Sequence, residues 1–304
     1  MRDGMPSGNI GRRDLLKAGG TAALGAALGG IATSAEAQPE SKTSPGRTSL
    51  ASREGTMANA TGSTDPFQLV KQYKYLRVVD VADAMDGIGY FDIGLMSPDV
   101  RPLWLGMAFW GVAFTIRCVP ANRPMWKLSS TEEIVGAHGI WFKEVGRISY
   151  SDQIKPGHVI VTDAGGGREC GFWGSANSLG MIRKGVAGIV TDGYCRDTAE
   201  VARQKTPICA RQRGRTIIPG RIEVADVQTK IGCGGVQVRP GDIVGCDDDG
   251  IIAVPIEVAP EVAVHARAIL LADMRGRRRH YESLGMDPDE TVDFEKVEEY
   301  YRQF

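Results

Sequence analysis

The stretch GVAGIVTDGYCRDTAE, residues 185–200, decides how the chain is read. It opens as an apolar, partly β-branched run over residues 186–191, which predicts a buried strand. Asp192-Gly193 reads as a break. Arg196 and Asp197 follow, with Glu200 three residues on, ahead of a predicted helix over residues 198–204. Asp is a strong helix N-cap, and Glu three residues later forms a capping-box-like pair. That reading leaves Arg196 unexplained, because it sets a cation at the positive end of the helix dipole.

The preceding segment has the same layout. Pro156-Gly157 is a turn before a buried strand over residues 158–163. A glycine loop, Gly165-Gly166-Gly167, follows, then a second loop over residues 169–175 and a helix over residues 175–184. If the strands 158–163 and 186–191 pair in one sheet, both helices open at the same end. Free backbone N–H groups then face Arg196 and Asp197 across a small cleft suited to a carboxylate and an oxygen-ligated divalent cation. Spacing alone leaves cap and site both open.

Further out, residues 66–90 read as helical, ended by Asp86-Gly87, residues 107–119 as a strand and residues 130–146 as a helix. Short strands are predicted over residues 216–219, 222–224, 236–238 and 242–245. Asp247-Asp248-Asp249-Gly250 reads as a tight turn into a strand over residues 251–255, followed by a helix from 260 to about 276. Strands and helices alternate in the middle and strands cluster late, which predicts an α/β domain with a mixed sheet.

The N-terminus reads as an export signal. Gly11-Arg12-Arg13-Asp14-Leu15-Leu16-Lys17 forms a twin-arginine start, an uncharged Ala- and Gly-rich run follows, and Ala35-Glu36-Ala37 supplies a cleavage site. This predicts a signal peptide over residues 1–37 and a periplasmic or secreted protein. Residues 38–65 read as a flexible linker, residues 66–276 as the main domain and residues 277–304 as a charged, partly helical tail.

The whole chain has 36 Lys plus Arg against 37 Asp plus Glu, and removing residues 1–37 leaves a net charge of −2. Such a balance gives no strong field for nucleic acid or for an anionic membrane. The basic run Arg275 to His280 therefore reads as a solvated helix end. Six cysteines occur without a Cys-x-x-Cys pair, and four histidines without His-x-x-x-His spacing, which argues against a zinc ribbon. Cys170 stands where the third glycine of a dinucleotide fingerprint belongs, and no Gly-Lys-Ser/Thr follows the glycine loop. The Asp247 turn lacks the late Glu of a calcium loop.

Over roughly residues 70–270 the chain resembles the RraA-like family, which groups the regulator of ribonuclease activity A with 4-hydroxy-4-methyl-2-oxoglutarate aldolases and oxaloacetate decarboxylases. The resemblance is carried by Val81-Ala82-Asp83-Ala84-Met85-Asp86 with Gly89, by Gly111 to Thr115 and by Lys155 to Val161. It continues through Trp173-Gly174, Gly185 to Gly193, Arg196-Asp197, and Pro240-Gly241-Asp242 onward to Pro255.

It implies a swivelling β/β/α fold with a mixed sheet and, here, a C-terminal helical extension. It also implies homotrimers or homohexamers with sites between subunits, and a lyase acting on a small 2-keto acid. By the same resemblance Asp197 holds Mg²⁺ or Mn²⁺, Glu200 lies near a metal-bound water, and Arg196 contacts the keto oxygen. The start of the helix at Gly174, Ser175, Ala176 and Asn177 takes the carboxylate through backbone amides. The metal polarises the keto acid while Arg196 steadies the enolate.

One position departs. The aldolases place an acid where this chain has Ser175, and serine cannot serve as a carboxylate base at neutral pH. Two other readings stay open beside the lyase. One is a non-catalytic binding or regulatory protein; the other is a different metal-dependent reaction, isomerase or hydrolase, on an exported sugar acid. Nothing in the sequence marks a methyltransferase cofactor site.

Overall fold

A computed structural model describes residues 65–146 and 148–304 of the chain. The expected signal over residues 1–37 and the linker up to residue 64 lie outside the described residues. In chain order the helices are α1 (Pro66–Leu69), α2 (Val78–Gly87), α3 (Thr131–Val135), α4 (Ala137–Trp141), α5 (Ser175–Arg183), α6 (Thr198–Arg203), α7 (Ala259–Leu284) and α8 (Phe294–Tyr301). The strands are β1 (Arg101–Pro102), β2 (Phe109–Pro120), β3 (His158–Asp163), β4 (Gly171–Trp173), β5 (Gly188–Cys195), β6 (Ile208–Arg213), β7 (Ile222–Val227), β8 (Ile231–Cys233), β9 (Val236–Val238), β10 (Ile243–Asp247) and β11 (Gly250–Val254).

Nine strands form one mixed sheet in the order β1-β6-β5-β3-β2-β10-β11, with β4 added to β5 and β7 to β2. Strands β2, β3, β5 and β6 run parallel, while β10, β11, β7 and β1 attach antiparallel. The sheet curls until its ends nearly meet. Segment 94–96 lies against β11, through Met96 N–H to the Ile251 carbonyl and Ala253 N–H to the Gly94 carbonyl, and the chain then enters β1 at the other edge.

The period-two alternation of strands sorts their side chains. Val159, Val161, Val190, Cys209, Val244, Cys246 and Ala253 fill the inside of the curl. Ile160, Ile189 and Ile208 face outward under α5, α6 and the 137–154 segment. Ile243, Ile252 and Val254 face α2 and α7. Both faces of β3, β5 and β6 are buried over their first halves, which is why apolar runs such as Val159-Ile160-Val161 and Ile189-Val190 open these strands.

Several expected boundaries move. The predicted helix over 66–90 is two helices, because the Asp80 carboxylate accepts from the Arg77 backbone N–H (3.0 Å) and starts α2 afresh. The predicted helix over 130–146 breaks at Gly136 into α3 and α4, followed by a π turn over Phe142–Gly146. The strand expected over 186–191 does not break at Asp192-Gly193. It runs on to Cys195 through a bulge, where Asp192 accepts from Ala164 N–H (2.9 Å) and Gly193 N–H turns back to Thr191 Oγ1 (3.1 Å). Residues 216–219 form a loop, not a strand, with the Thr216 carbonyl accepting from Gly171 N–H. Strands β1, β4, β6 and β8 were not expected. Helix α7 passes Gly276 and the basic run and stops only at Gly285, whose φ of 67° is open to glycine. Among the described residues no helix is long and apolar enough to cross a membrane.

His158 opens β3 in a buried position, with its Nδ1 accepting from Lys155 N–H (2.9 Å) and its ring against Phe67 and Phe114. Burial, and secondarily the Lys155 charge, push its pKa from 6.5 down to about 4. The unfolded chain therefore binds this proton more readily than the folded one. The contribution is whole above pH 6.5 and is lost as pH falls towards 4, by about 3 kcal/mol in all. Urea titrations between pH 7 and 4 are expected to show this decline, and His158→Gln should flatten it.

Candidate functional site

The parallel pairing of β3, β5 and β4 brings three carboxyl ends to one edge of the sheet. Open α/β sheets bind ligands outside such ends. Strand β4 leads through Gly174 into α5, and β5 leads through Arg196-Asp197 into α6. The two helix starts are neighbours, fixed by the Arg196 N–H donating to the Trp173 carbonyl at 2.9 Å. Beneath them Trp173 is fully buried and donates its indole N–H to Thr162 Oγ1 at 3.0 Å.

Asp197 occupies the N-cap position of α6, but with φ 56° and ψ 37°, in the left-handed region. Its side chain makes no cap hydrogen bond to its own helix. Instead Oδ2 accepts from Ser175 N–H (3.2 Å) and from the Ser175 hydroxyl (3.4 Å), and lies 3.5 Å from Arg196 Nε. The capping-box expectation therefore fails for a physical reason: the left-handed backbone turns the carboxylate away from α6 and towards the start of α5. A non-glycine residue held at positive φ stores about 1–3 kcal/mol, and such residues concentrate at functional sites.

The Arg196 and Asp197 side chains are each about one-third exposed, so they face a cleft rather than the core. Gly174 fits closely beneath them. A Cβ on it would fall 2.7 Å from Asp197 Oδ2 and 3.0 Å from Arg196 Cγ. Helix α5 begins at Gly174 without a side-chain cap and without an acid in its first turn. Ser175 donates to Asp197, while Ala176 and Asn177 are exposed at the start of the helix. Glu200 is exposed in the first turn of α6. All the residues singled out from the sequence thus lie around the two adjoining helix starts.

A divalent cation can be tested against this donor set. Among the described residues no group of three or more His, Cys, Asp or Glu is gathered closely enough to hold a metal. A closed protein cage is therefore not what these residues build. One half-buried carboxylate beside an exposed glutamate fits an ion of the Mg²⁺ type, which keeps several waters and takes one or two carboxylates plus ligand oxygens.

Two features escaped the sequence. His138, on α4, has a buried Nε2 without a hydrogen-bond partner among the described residues. Burial, with the Arg196 charge added, lowers its pKa. It was one of four scattered histidines, and only the packing of the 137–154 segment brings it into range of Arg196. The second is a cleft of about 590 Å³ lined by Phe142, Lys143, Tyr150, Asn177 and Met181 among others, which adjoins the start of α5. Its wall comes from a segment without strand or motif signals.

Known proteins bear on this geometry. The chain is 27% identical over 207 residues to protein DlpA of Legionella pneumophila, a match spanning 68% of this chain and 31% of that protein. It is 37% identical over 105 residues to a protein of Halalkalibacterium halodurans provisionally named 4-hydroxy-4-methyl-2-oxoglutarate aldolase, covering 34% of this chain and 49% of that one. The matches thus span about a third and a half of these curated relatives. The crystal structure of an uncharacterised protein from Pseudomonas syringae aligns with a TM-score of 0.57 at 27% identity, covering 72% of this chain and 94% of that one. The family model described as "RraA-like: Aldolase/RraA" matches residues 78–253, more than half of the chain and the whole of the site region, so this chain belongs to the RraA-like family.

Proposed function

We propose that this chain is a divalent-metal-dependent lyase, an aldolase or decarboxylase, that breaks a C–C bond of a small 2-keto acid at the adjoining starts of α5 and α6. The observation that carries the proposal is Asp197, held in a strained backbone with its carboxylate turned from its own helix towards Ser175 and Arg196. Membership of a family that includes aldolases supports the reaction class.

In this reading the exposed amides at Ala176 and Asn177 bind the substrate carboxylate at the positive end of α5. The Arg196 guanidinium donates to the keto oxygen, on which negative charge accumulates as the electron pair of the breaking bond moves inward. Asp197 with Glu200 would hold Mg²⁺ or Mn²⁺, which supplies Lewis-acid polarisation when bound. The Ser175 hydroxyl fixes Asp197 but is not a carboxylate base, so the final proton on carbon comes from another donor. Self-association as a trimer or hexamer and export by the twin-arginine route belong to the same proposal.

The test is pyruvate release from oxaloacetate and from aldol adducts by the mature protein with Mn²⁺, against a metal-only control and against EDTA. Release above the control that EDTA abolishes is expected. Rates equal to metal alone, with no Mn²⁺ binding by calorimetry, would leave a non-catalytic binding protein as the better reading. Metal binding without release would favour an isomerase or hydrolase on a sugar acid, for which the serine at 175 leaves room.

A further inference from the structure

The inside of the curled sheet is mostly apolar, and several of its buried side chains carry sulfur. Cys209 on β6 and Cys246 on β10 are both fully buried, and their Sγ atoms lie 3.0 Å apart. These strands are not neighbours; β5, β3 and β2 stand between them in the sheet. The contact therefore spans the interior rather than following a ladder. Met107 Sδ lies 4.0 Å from Cys209 Sγ, and the Cys246 thiol is directed at the Asp247 carbonyl at 3.6 Å. Among the described residues no further His, Cys, Asp or Glu completes a metal-holding group around the pair. That leaves oxidation as the chemistry this geometry offers.

We propose that Cys209 and Cys246 are a cross-link site, at which oxidation ties β6 to β10 by a disulfide through the middle of the barrel. The two sulfurs need to approach by about 1 Å to reach the ordinary S–S bond of about 2.05 Å. The oxidant is a disulfide, either a small one or a protein dithiol in its oxidised form. One thiolate attacks it and releases the first thiol. The second thiolate then displaces the mixed disulfide and releases another. Two cysteine thiols thus become one disulfide, and the two electrons and two protons leave as two new thiols.

Burial also sets when this happens. Each thiol must ionise to attack, and the apolar interior holds the Cys209 thiol well above its ordinary range, with Cys246 adding to the effect. The cross-link therefore forms while the interior is open, during folding or near the unfolding transition, and is shielded from reduction once the barrel closes.

The test uses the full chain in two arms with oxidised glutathione. In one it is refolded with the oxidant; in the other the folded chain is held with it near its thermal midpoint. Samples are then unfolded, alkylated with iodoacetamide and weighed, and linked peptides are mapped. Four alkylated cysteines of the six are expected, with Cys209 joined to Cys246. The oxidised form should melt roughly 5–10 °C higher than the reduced one. Cys209→Ser and Cys246→Ala should each leave five alkylated cysteines and no such rise. Six alkylated cysteines in both wild-type arms, or a bridge joining any other pair, overturns the proposal.

Discussion

Asp197→Ala and Asp197→Gly are both expected to lose pyruvate release from oxaloacetate by ~10³-fold or more, yet to differ in stability. The activity loss follows from removing the one carboxylate that ties the two helix starts together and that the proposed metal needs. Several kcal/mol of transition-state stabilisation disappear, and each 1.36 kcal/mol is tenfold in rate. Stability is governed by the backbone instead. At φ 56° a Cβ carries a penalty that glycine lacks, so the glycine variant should be more stable than the alanine variant by about 1 kcal/mol. Oxaloacetate kinetics, Mn²⁺ calorimetry and urea denaturation separate the two effects. An alanine variant within tenfold of wild type removes Asp197 from the chemistry. Equal stability of the two variants removes the strain argument.

Gly174→Ala is the second large effect and has a different origin. Gly174 has φ −157° and ψ 175°, extended backbone that any residue adopts, so alanine brings no backbone strain. What it brings is a methyl group 2.7 Å from Asp197 Oδ2 and 3.3 Å from Arg196 Nε. Both side chains are one-third exposed and can swing outward, so the fold should survive with a change under about 1 kcal/mol. The carboxylate and the guanidinium would nevertheless be displaced by a substantial part of an ångström, and misplacement on that scale lowers rates by about 10²-fold. A near-native melting profile with kcat reduced ~100-fold is expected. Unchanged kcat would mean that these two side chains do not act from the positions seen here.

Much of the framework was legible in residues with strong local signals. His158 to Asp163 and Val186 to Thr191 are short apolar runs bounded by turn residues; the first is a strand as expected, the second enters its strand only at Gly188, and residues 159–162 pair in parallel with 188–191. Asp248-Asp249 is the hairpin turn between β10 and β11 that Asp-Gly spacing suggested. What was hidden depended on distant partners. Asp192-Gly193 looked like a stop because Asp and Gly disfavour strands; in the fold both Asp192 oxygens are taken up by Ala164 and Gly234, which lets β5 continue. Strand β4 has three residues and exists only as an addition to β5. At the site, the grouping of Arg196, Asp197 and the start of α5 was legible. The left-handed turn at Asp197 was not, since Asp at an N-cap ordinarily sits in extended backbone. His138 could not be found at all without the packing of its segment.

The far-separated strand pairings also govern how the chain is made. Strand β2 has β10 on one side, with Val112 opposite Ile243, so the edge of an early strand waits for nearly the last. Tyr73 then donates to the carbonyl of Ala259, 186 residues further on. During synthesis β2, β3, β5 and β6 emerge with an uncovered apolar face and an open edge, the condition in which chains pair with one another. Topologies dominated by such distant contacts fold slowly. The C-terminal third is therefore more than an extension of the region that carries the candidate site. A chain stopped short of residue 243 would keep β3 and β7 on β2 but leave Phe109 to Val112 without a partner on one edge, and such a chain is expected to aggregate before the question of activity arises.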